Sequence, residues 1–429
     1  MLYDIYSMKR DQFINKHKNL NIAQSELDRK WRVLQEQEET QRLFEEAMQY
    51  NSLQATAGAS GGGSSNVEPA FRLMFTDISF AYTLVGNATN VNDWNTYLEL
   101  PTNGDPFTSV QVTGNEVALY GGSDITITEY KLKASGSKPV IPWLVSVIDE
   151  GGVIVQLDNQ AFGSQSDLYL VDLPAVTITD YGSFLSNTSL TSVSLPALVE
   201  LGPACFSSCE SLVTISLPSL TLDNEESFAS CTSLTTANLP LLTVIGDSTF
   251  TGCTSLTLVN APLLTSIGSF SFNGCTSLVN IDYPLVTTAG SQSFAQCTSL
   301  SNVNLPLLTN IIQTIFTDCS SLTSISLPSL LTAGELCFNS CINLQTIDLP
   351  LVTTLGLRCF ENCQDLEVLN IPSCTNLGGT VGNNNMFNFI SGNTIALTIP
   401  ASRMTCNAGN PDGDIQFLQA NNTVTITTT

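Results

Sequence analysis

Basic residues nearly vanish from this chain after its first third. Of fourteen Lys and Arg, eight fall in residues 1–50 and only Arg358 and Arg403 follow Lys138, against 38 Asp and Glu and a net charge of −24. The long C-terminal part is uniformly acidic and repels phosphate backbones and anionic lipid headgroups, which argues against nucleic acid or a membrane surface as partner. Nine Asp and Glu sit among the N-terminal bases, so that end does not reverse the argument. Histidine is reduced to His17, which leaves Ser/His and Cys/His catalysis without a base. No apolar run approaches the ~18 residues of a spanning helix. The start, Met1-Leu2-Tyr3-Asp4-Ile5-Tyr6, lacks the basic-then-apolar pattern of a secretory signal, so export by the general secretory route is not expected.

Other catalytic sets are equally thin. Glu225 with Glu226 and Asp412 with Asp414 read as solvated surface acids. Gly61-Gly62-Gly63-Ser64-Ser65 has no following Lys to hold a phosphate and reads as linker. The expectation is therefore not an enzyme, with no cofactor and no metal. Charged residues make up only 12% against 43% hydrophobic, so Ser, Thr, Asn and Gln must cover the surface, as in a repetitive β-rich protein.

What the chain does have is a period of 22 residues. Prolines fall at Pro174, Pro196, Pro218 and on to Pro372 without a missed beat, and phenylalanines from Phe162 to Phe360. Leucines keep the same beat from Leu168 to Leu366, and cysteines from Cys209 to Cys363. The unit reads F-x-x-C-x-S-L-x-x-V/I-x-L-P-x-L, followed by about six variable residues. Within it, Leu190, Val193 and Leu195 are expected to face inward, with Val193-Ser194-Leu195 alternating as a short strand. The proline ends that strand because it lacks a ladder N–H. Phe206 and Cys209, three apart, suggest one side of a helical or 3₁₀ turn, so each repeat is expected to be strand, turn and short helical turn. Such units bury their apolar faces only by stacking, with strands in parallel ~4.8 Å apart. Ten of them make a rod or shallow arc of roughly 45 to 50 Å.

The cysteines form a line, joined by Cys205, Cys337 and Cys359 one residue before the phenylalanine, with Cys374 and Cys406 outside it. Neighbours at ~4.8 Å with parallel side chains exceed the preferred Cβ separation of ~3.8 Å, so bridging would be strained. Metal ligands must converge, and a line does not. Small buried thiols are the reading preferred, and thiols kept reduced fit assembly in a cytoplasm.

The motif F-x-x-C-x-S-L-x-x-V-x-L-P resembles the leucine-rich repeats of the bacterial surface-antigen type called BspA-like, over residues 160–373. The fold class implied is α+β: a leucine-rich-repeat solenoid of about ten 22-residue turns, with a small β-rich domain and an N-terminal helical tail. Members of that family are adhesins or proteins of unknown role, so the resemblance implies binding. The expected divisions are a helical anchor or oligomerisation tail at 1–55, a Gly/Ser linker at 56–66, a small β-rich domain at 67–150, the solenoid at 151–374 and a C-terminal cap at 375–429. Residues 139–160 are a candidate first cap, on the alternation of Val153, Val155 and Leu157. The tail carries an amphipathic face with Leu27, Trp31, Leu34, Leu43 and Phe44.

A candidate binding stripe lies at the outward strand position between two buried ones. It includes Asn238, Asn260, Asp282, Asn304 and Asp348, with Ser or other small polar residues between them. It can hydrogen-bond a glycan or a partner's edge, or simply solvate an open sheet and discourage aggregation. The layout of tail, tether and repeat array resembles fibre and decoration proteins of tailed bacteriophages. That resemblance implies a virion surface protein held to other virion proteins through residues 1–55, possible as a homotrimer, whose solenoid meets a host surface glycan or protein. The alternative is an adhesin of the BspA-like type on the bacterial cell surface. An enzyme acting on glycans would instead require carboxylates clustered in a cleft.

Overall fold

The computed structural model describes residues 71–75, 105–113, 116–123, 125–127, 144–149, 154–157, 159–377, 386–387, 390–404 and 413–429. The chain divides into two compact units, 1–67 and 68–429. The helical tail with its apolar face and the Gly/Ser linker expected over 1–66 lie outside the described residues.

Each repeat forms one coil carrying two strands. In one coil the first strand, Thr214–Ser216, buries Ile215 and exposes its flanks. It pairs in parallel with Thr236–Asn238, every residue against the one 22 positions on. Leu217 extends the ladder by donating its N–H to Asn238 O at 3.0 Å, and Pro218 then ends it. A second strand, Leu222–Asp223, follows the proline turn; its equivalents, such as Val244–Ile245 and Ser266–Ile267, stack into a second parallel sheet. Pairing in the first sheet is interrupted at three places, between 192–194 and 214–216, 258–260 and 280–282, and 302–304 and 324–326.

The expected helical turn around phenylalanine is corrected by the structure. Linked turns occupy the position: Ser207 N–H donates to Ala204 O and Cys209 N–H to Phe206 O, both at 3.1 Å. Ala204 and Ser208 are left-handed, with φ of 52° and 61°. The same two positions have positive φ in every coil, from Gln160 and Ser164 to Arg358 and Asn362. Left-handed backbone costs an L-residue ~1 to 2 kcal/mol. The gain is direction, because a helix would spend its N–H groups on its own carbonyls. Here Ala204, Phe206 and Ser208 donate instead to Glu225, Ser227 and Ala229 of the next coil, at 2.9, 2.8 and 2.7 Å. The α+β expectation is corrected with it: among the described residues helix is confined to Gly413–Asn421 and a 3₁₀ turn at Ala401–Met404.

Around this frame the core is a set of columns. The phenylalanines stack face to face from Phe162 to Phe360, with ring centroids 5.1 to 5.8 Å apart between neighbours. Phe387 adds a further ring at 5.9 Å, after the 22-residue register has ended. Parallel strands continue likewise, with Val368–Asn370 on Thr394–Ile399 and the latter on Thr423–Thr428. At the other end Leu144–Ile148 joins the first sheet in parallel to Leu170–Asp172 and antiparallel to Phe71–Phe75, which pairs with Glu116–Ser123. In the strand Ile154–Leu157 the buried residues are Ile154 and Leu157, with Val155 half-buried, so the alternation expected there is shifted.

The cysteine column has a specific bond. Cys231 Sγ–H donates to Phe206 O of the preceding coil at 3.0 Å and Cys253 to Phe228 O at 3.1 Å. Each ladder cysteine does the same, from Cys209 on Phe184 to Cys363 on Phe338. Those carbonyls also accept a backbone N–H, as Phe206 O does from Cys209, so both lone pairs are used. The twelve described cysteines are buried, and those of the ladder, with Cys205, Cys337 and Cys359, are free thiols. Burial pushes the thiols of Cys231, Cys297 and Cys341 up to about 12, which keeps the donated proton in place.

Two buried residues break the apolar pattern of the second sheet, Thr179 and Asp223. Asp223 sits where neighbouring coils place Leu201 and Ile245, and pairing between Leu222–Asp223 and Val244–Ile245 is missing. Gly246 N–H and Thr249 hydroxyl donate to its Oδ2 at 3.1 and 2.8 Å, while Oδ1 has no partner. Burial raises its pKa to about 6.

Two outcomes are expected. A thiol reagent should leave the ladder cysteines of the native chain unmodified and label them only at the rate of unfolding; rapid labelling of several of them in the folded chain would contradict the buried ladder. A raised folded-state pKa gives stability that is complete below the unfolded value and is lost as pH rises through the folded one. The wild type should therefore lose roughly 2 to 3 kcal/mol relative to Asp223→Asn between about pH 4 and pH 7.5, read from denaturant melts. A constant difference between the two proteins over that range would show that Asp223 does not titrate in this window.

Candidate functional site

The outward column of the first sheet is where a partner can reach a long, regular surface. Strand alternation turns Ile215, Ala237, Val259 and Ile281 inward and leaves the next residue of each strand on the outer face. Because coils repeat in register, those outward residues lie one strand spacing apart and bond to each other. Asn260 donates its Nδ2–H to Asn238 Oδ1 at 2.7 Å, and Asn238 donates to Ser216 Oγ at 3.0 Å. Asn304 donates to Asp282 Oδ1 at 2.7 Å. Asp348 accepts from both sides, from Ser326 Oγ at 3.0 Å and Asn370 Nδ2 at 2.6 Å. The structure thus places all five stripe residues expected from sequence, Asn238, Asn260, Asp282, Asn304 and Asp348, in one column.

A second outward column, which sequence reasoning did not single out, runs beside it at the first position of each strand, apolar at Leu258 and Val368 and polar in the coils between them. There Asn302 donates to Asn280 Oδ1 at 2.7 Å. The two columns flank a shallow depression lined by Asn280, Asp282, Asn302, Asn304, Ser324 and Ser326, at the interruption between 302–304 and 324–326. Val303 is only half-buried there, unlike its equivalents Ile281 and Ile325. The chemistry on offer is fixed carboxamide and hydroxyl groups, a single carboxylate at Asp282 and an apolar floor. That set suits hydrogen bonding to an uncharged polar partner.

Glu225 and Glu226 are exposed, and Asp414 is buried and accepts the Met386 N–H at 3.2 Å. His17 and Asp412 lie outside the described residues. Among the described residues no three His, Cys, Asp or Glu side chains gather as a metal ion would need, and no helix is long and apolar enough to cross a membrane.

Comparison with known proteins bears on this surface. Residues 152–257 and 265–390 match, in six copies, the family described as BspA type leucine rich repeat region. Among solved structures the chain is similar to a leucine-rich-repeat protein of T. pallidum, at 29% identity over 36% of this chain and 78% of that one, with a TM-score of 0.34. It is also similar to a leucine rich cell surface protein of Faecalibacterium prausnitzii, at 20% identity over 75% and 96%, TM-score 0.40. A leucine-rich-repeat protein of Bacteroides ovatus is 15% identical over 76% and 99%, TM-score 0.37. A comparison with curated proteins gives no match. The family match spans more than half of the residues and coincides with the stacked coils, and the chain belongs to the BspA-type leucine-rich-repeat family.

Proposed function

We propose that this chain is a non-enzymatic binding protein of a bacterial cell surface, which holds a protein or glycan against the outer face of its first sheet. The observation that carries the reading is the outward polar column, hydrogen-bonded within itself in three stretches, Ser216 to Asn260, Asp282 to Asn304 and Ser326 to Asn370. Its carboxamides and hydroxyls are already oriented by one another, so a ligand would not have to order them. The lack of Lys and Arg between residues 139 and 357 leaves this face without cations, which favours neutral polar partners over anionic ones.

Family membership supports the surface setting, since the BspA-like repeats are those of surface antigens. The virion reading rests on the layout of tail, tether and repeat array, of which residues 1–66 lie outside the described residues, and the family match does not support it. In the surface reading, residues 1–55, with Leu27, Trp31, Leu34, Leu43 and Phe44, are proposed to attach the array to another protein.

Protease shaving of intact, virus-free cells followed by mass spectrometry should release peptides from residues 160–373. Recovery of the chain only from purified virus particles would overturn the cellular setting. For the contact face, Asn302→Arg with Asn304→Arg should lower binding to host-surface material at least tenfold with an unchanged melting curve; undiminished binding would place the contact elsewhere.

A further inference from the structure

One outward column carries leucine on four successive coils. The residue after the coil proline is Leu241, Leu263, Leu285 and Leu307, and these side chains are 43 to 46% exposed. Ser219 precedes the run and Ser329 ends it, and a further exposed leucine, Leu351, stands in the same column one coil beyond. The exposed column two residues further on is threonine in the same coils, Thr243, Thr265 and Thr287, while in other coils it holds Val199 and Leu331. Four leucines exposed to this degree leave roughly 300 Å² of apolar surface, at the lower end of the largest patch on an ordinary monomer.

We infer that this leucine ridge pairs with the same ridge of a second copy of the chain, the two coil stacks running antiparallel about a two-fold axis. Spacing is the first argument. In these coils the phenylalanine rings repeat every 5.3 to 5.7 Å, so the leucines repeat along the stack at the coil interval. A second copy carries the identical interval, and an antiparallel pair sets Leu263 opposite Leu285 and Leu241 opposite Leu307 throughout. A two-fold contact also closes on itself and does not propagate.

Charge is the second argument. Two copies of a chain with net charge −24 repel one another over most of their surface. Between residues 227 and 317 the only charged side chains are Asp247 and Asp282, so these coils are where two copies can meet with least repulsion. The ridge alone falls short of the ~800 Å² per partner of a stable interface. Thr243, Thr265 and Thr287 supply the polar rim that such contacts carry around an apolar centre. This pairing leaves the outer face of the first sheet to its own ligand and does not depend on what binds there.

The test is sedimentation of the full-length chain over a wide concentration range, beside the double variant Leu263→Gln with Leu285→Gln. Both side chains are already half exposed, so a matching circular-dichroism melt is expected. The wild type should self-associate and the variant should raise the dissociation constant at least tenfold. In a second experiment, Leu263→Cys and Leu285→Cys proteins are mixed with a short bismaleimide. Crosslinking between the two variants should exceed crosslinking of either with itself. A wild type that stays monomeric, an unchanged association constant in the double variant, or no preference for the mixed crosslink would each overturn the inference. The last two would assign the contact to another surface.

Discussion

Every coil leaves the N–H groups of alternate residues around its phenylalanine to the carbonyls of the coil that follows, and that donation fixes the rest of the architecture. Three bonds per junction, in addition to the two short strand ladders, make each coil the template for the next. A helix in this place would satisfy itself and leave the stack held only by side chains. Two left-handed residues per coil are the cost of turning the donors along the stack. Only Gly182, Gly252 and Gly274 meet that cost with glycine, and the other coils absorb it through the bonds gained.

The columns of identical residues follow from the same constraint. Once coils superpose in register, each core position meets its own copies above and below. The residue chosen must therefore pack against itself. Phenylalanine does this as an offset stack, and cysteine does it as a small donor that completes the phenylalanine carbonyl one coil back. Buried polar exceptions include Asp223 and Thr179 in the second-sheet column and Asn187 in the cysteine column, and the second sheet is interrupted at Asp223. On the outside the same register converts single polar residues into hydrogen-bonded columns, and single leucines into a ridge.

The period made the coil count, the first strand, the buried columns and the position of the Asn238 to Asp348 stripe legible, because a repeated core position tolerates little variety. The second strand was not legible. It occupies residues whose one buried position varies from Leu201 through Asp223 and Ile245 to Ala289, with no shared type to notice. The turn around phenylalanine was misread because a spacing of three fits linked turns as well as a helix, and its left-handed residues are mostly not glycine. The leucine ridge was hidden for a different reason: it falls on the variable position of L-P-x-L, where Ala175, Ala197 and Ser219 precede Leu241, and a variable position in a repeat draws no attention. In the site, pairing within the stripe needed the coil offset, and the depression at Val303 needed the interruption of the sheet, neither of which a pattern of residues displays.

Native-state hydrogen exchange of the full chain, read amide by amide, tests the junction bonds most directly. The account predicts that Ala204, Phe206 and Ser208, and their equivalents in the central coils, exchange only through cooperative opening and are protected together with strand amides such as that of Ile215. Exchange of those amides at the rate of exposed turns, with the strands still protected, would contradict it, because the coils would then be joined by their strands and core columns alone.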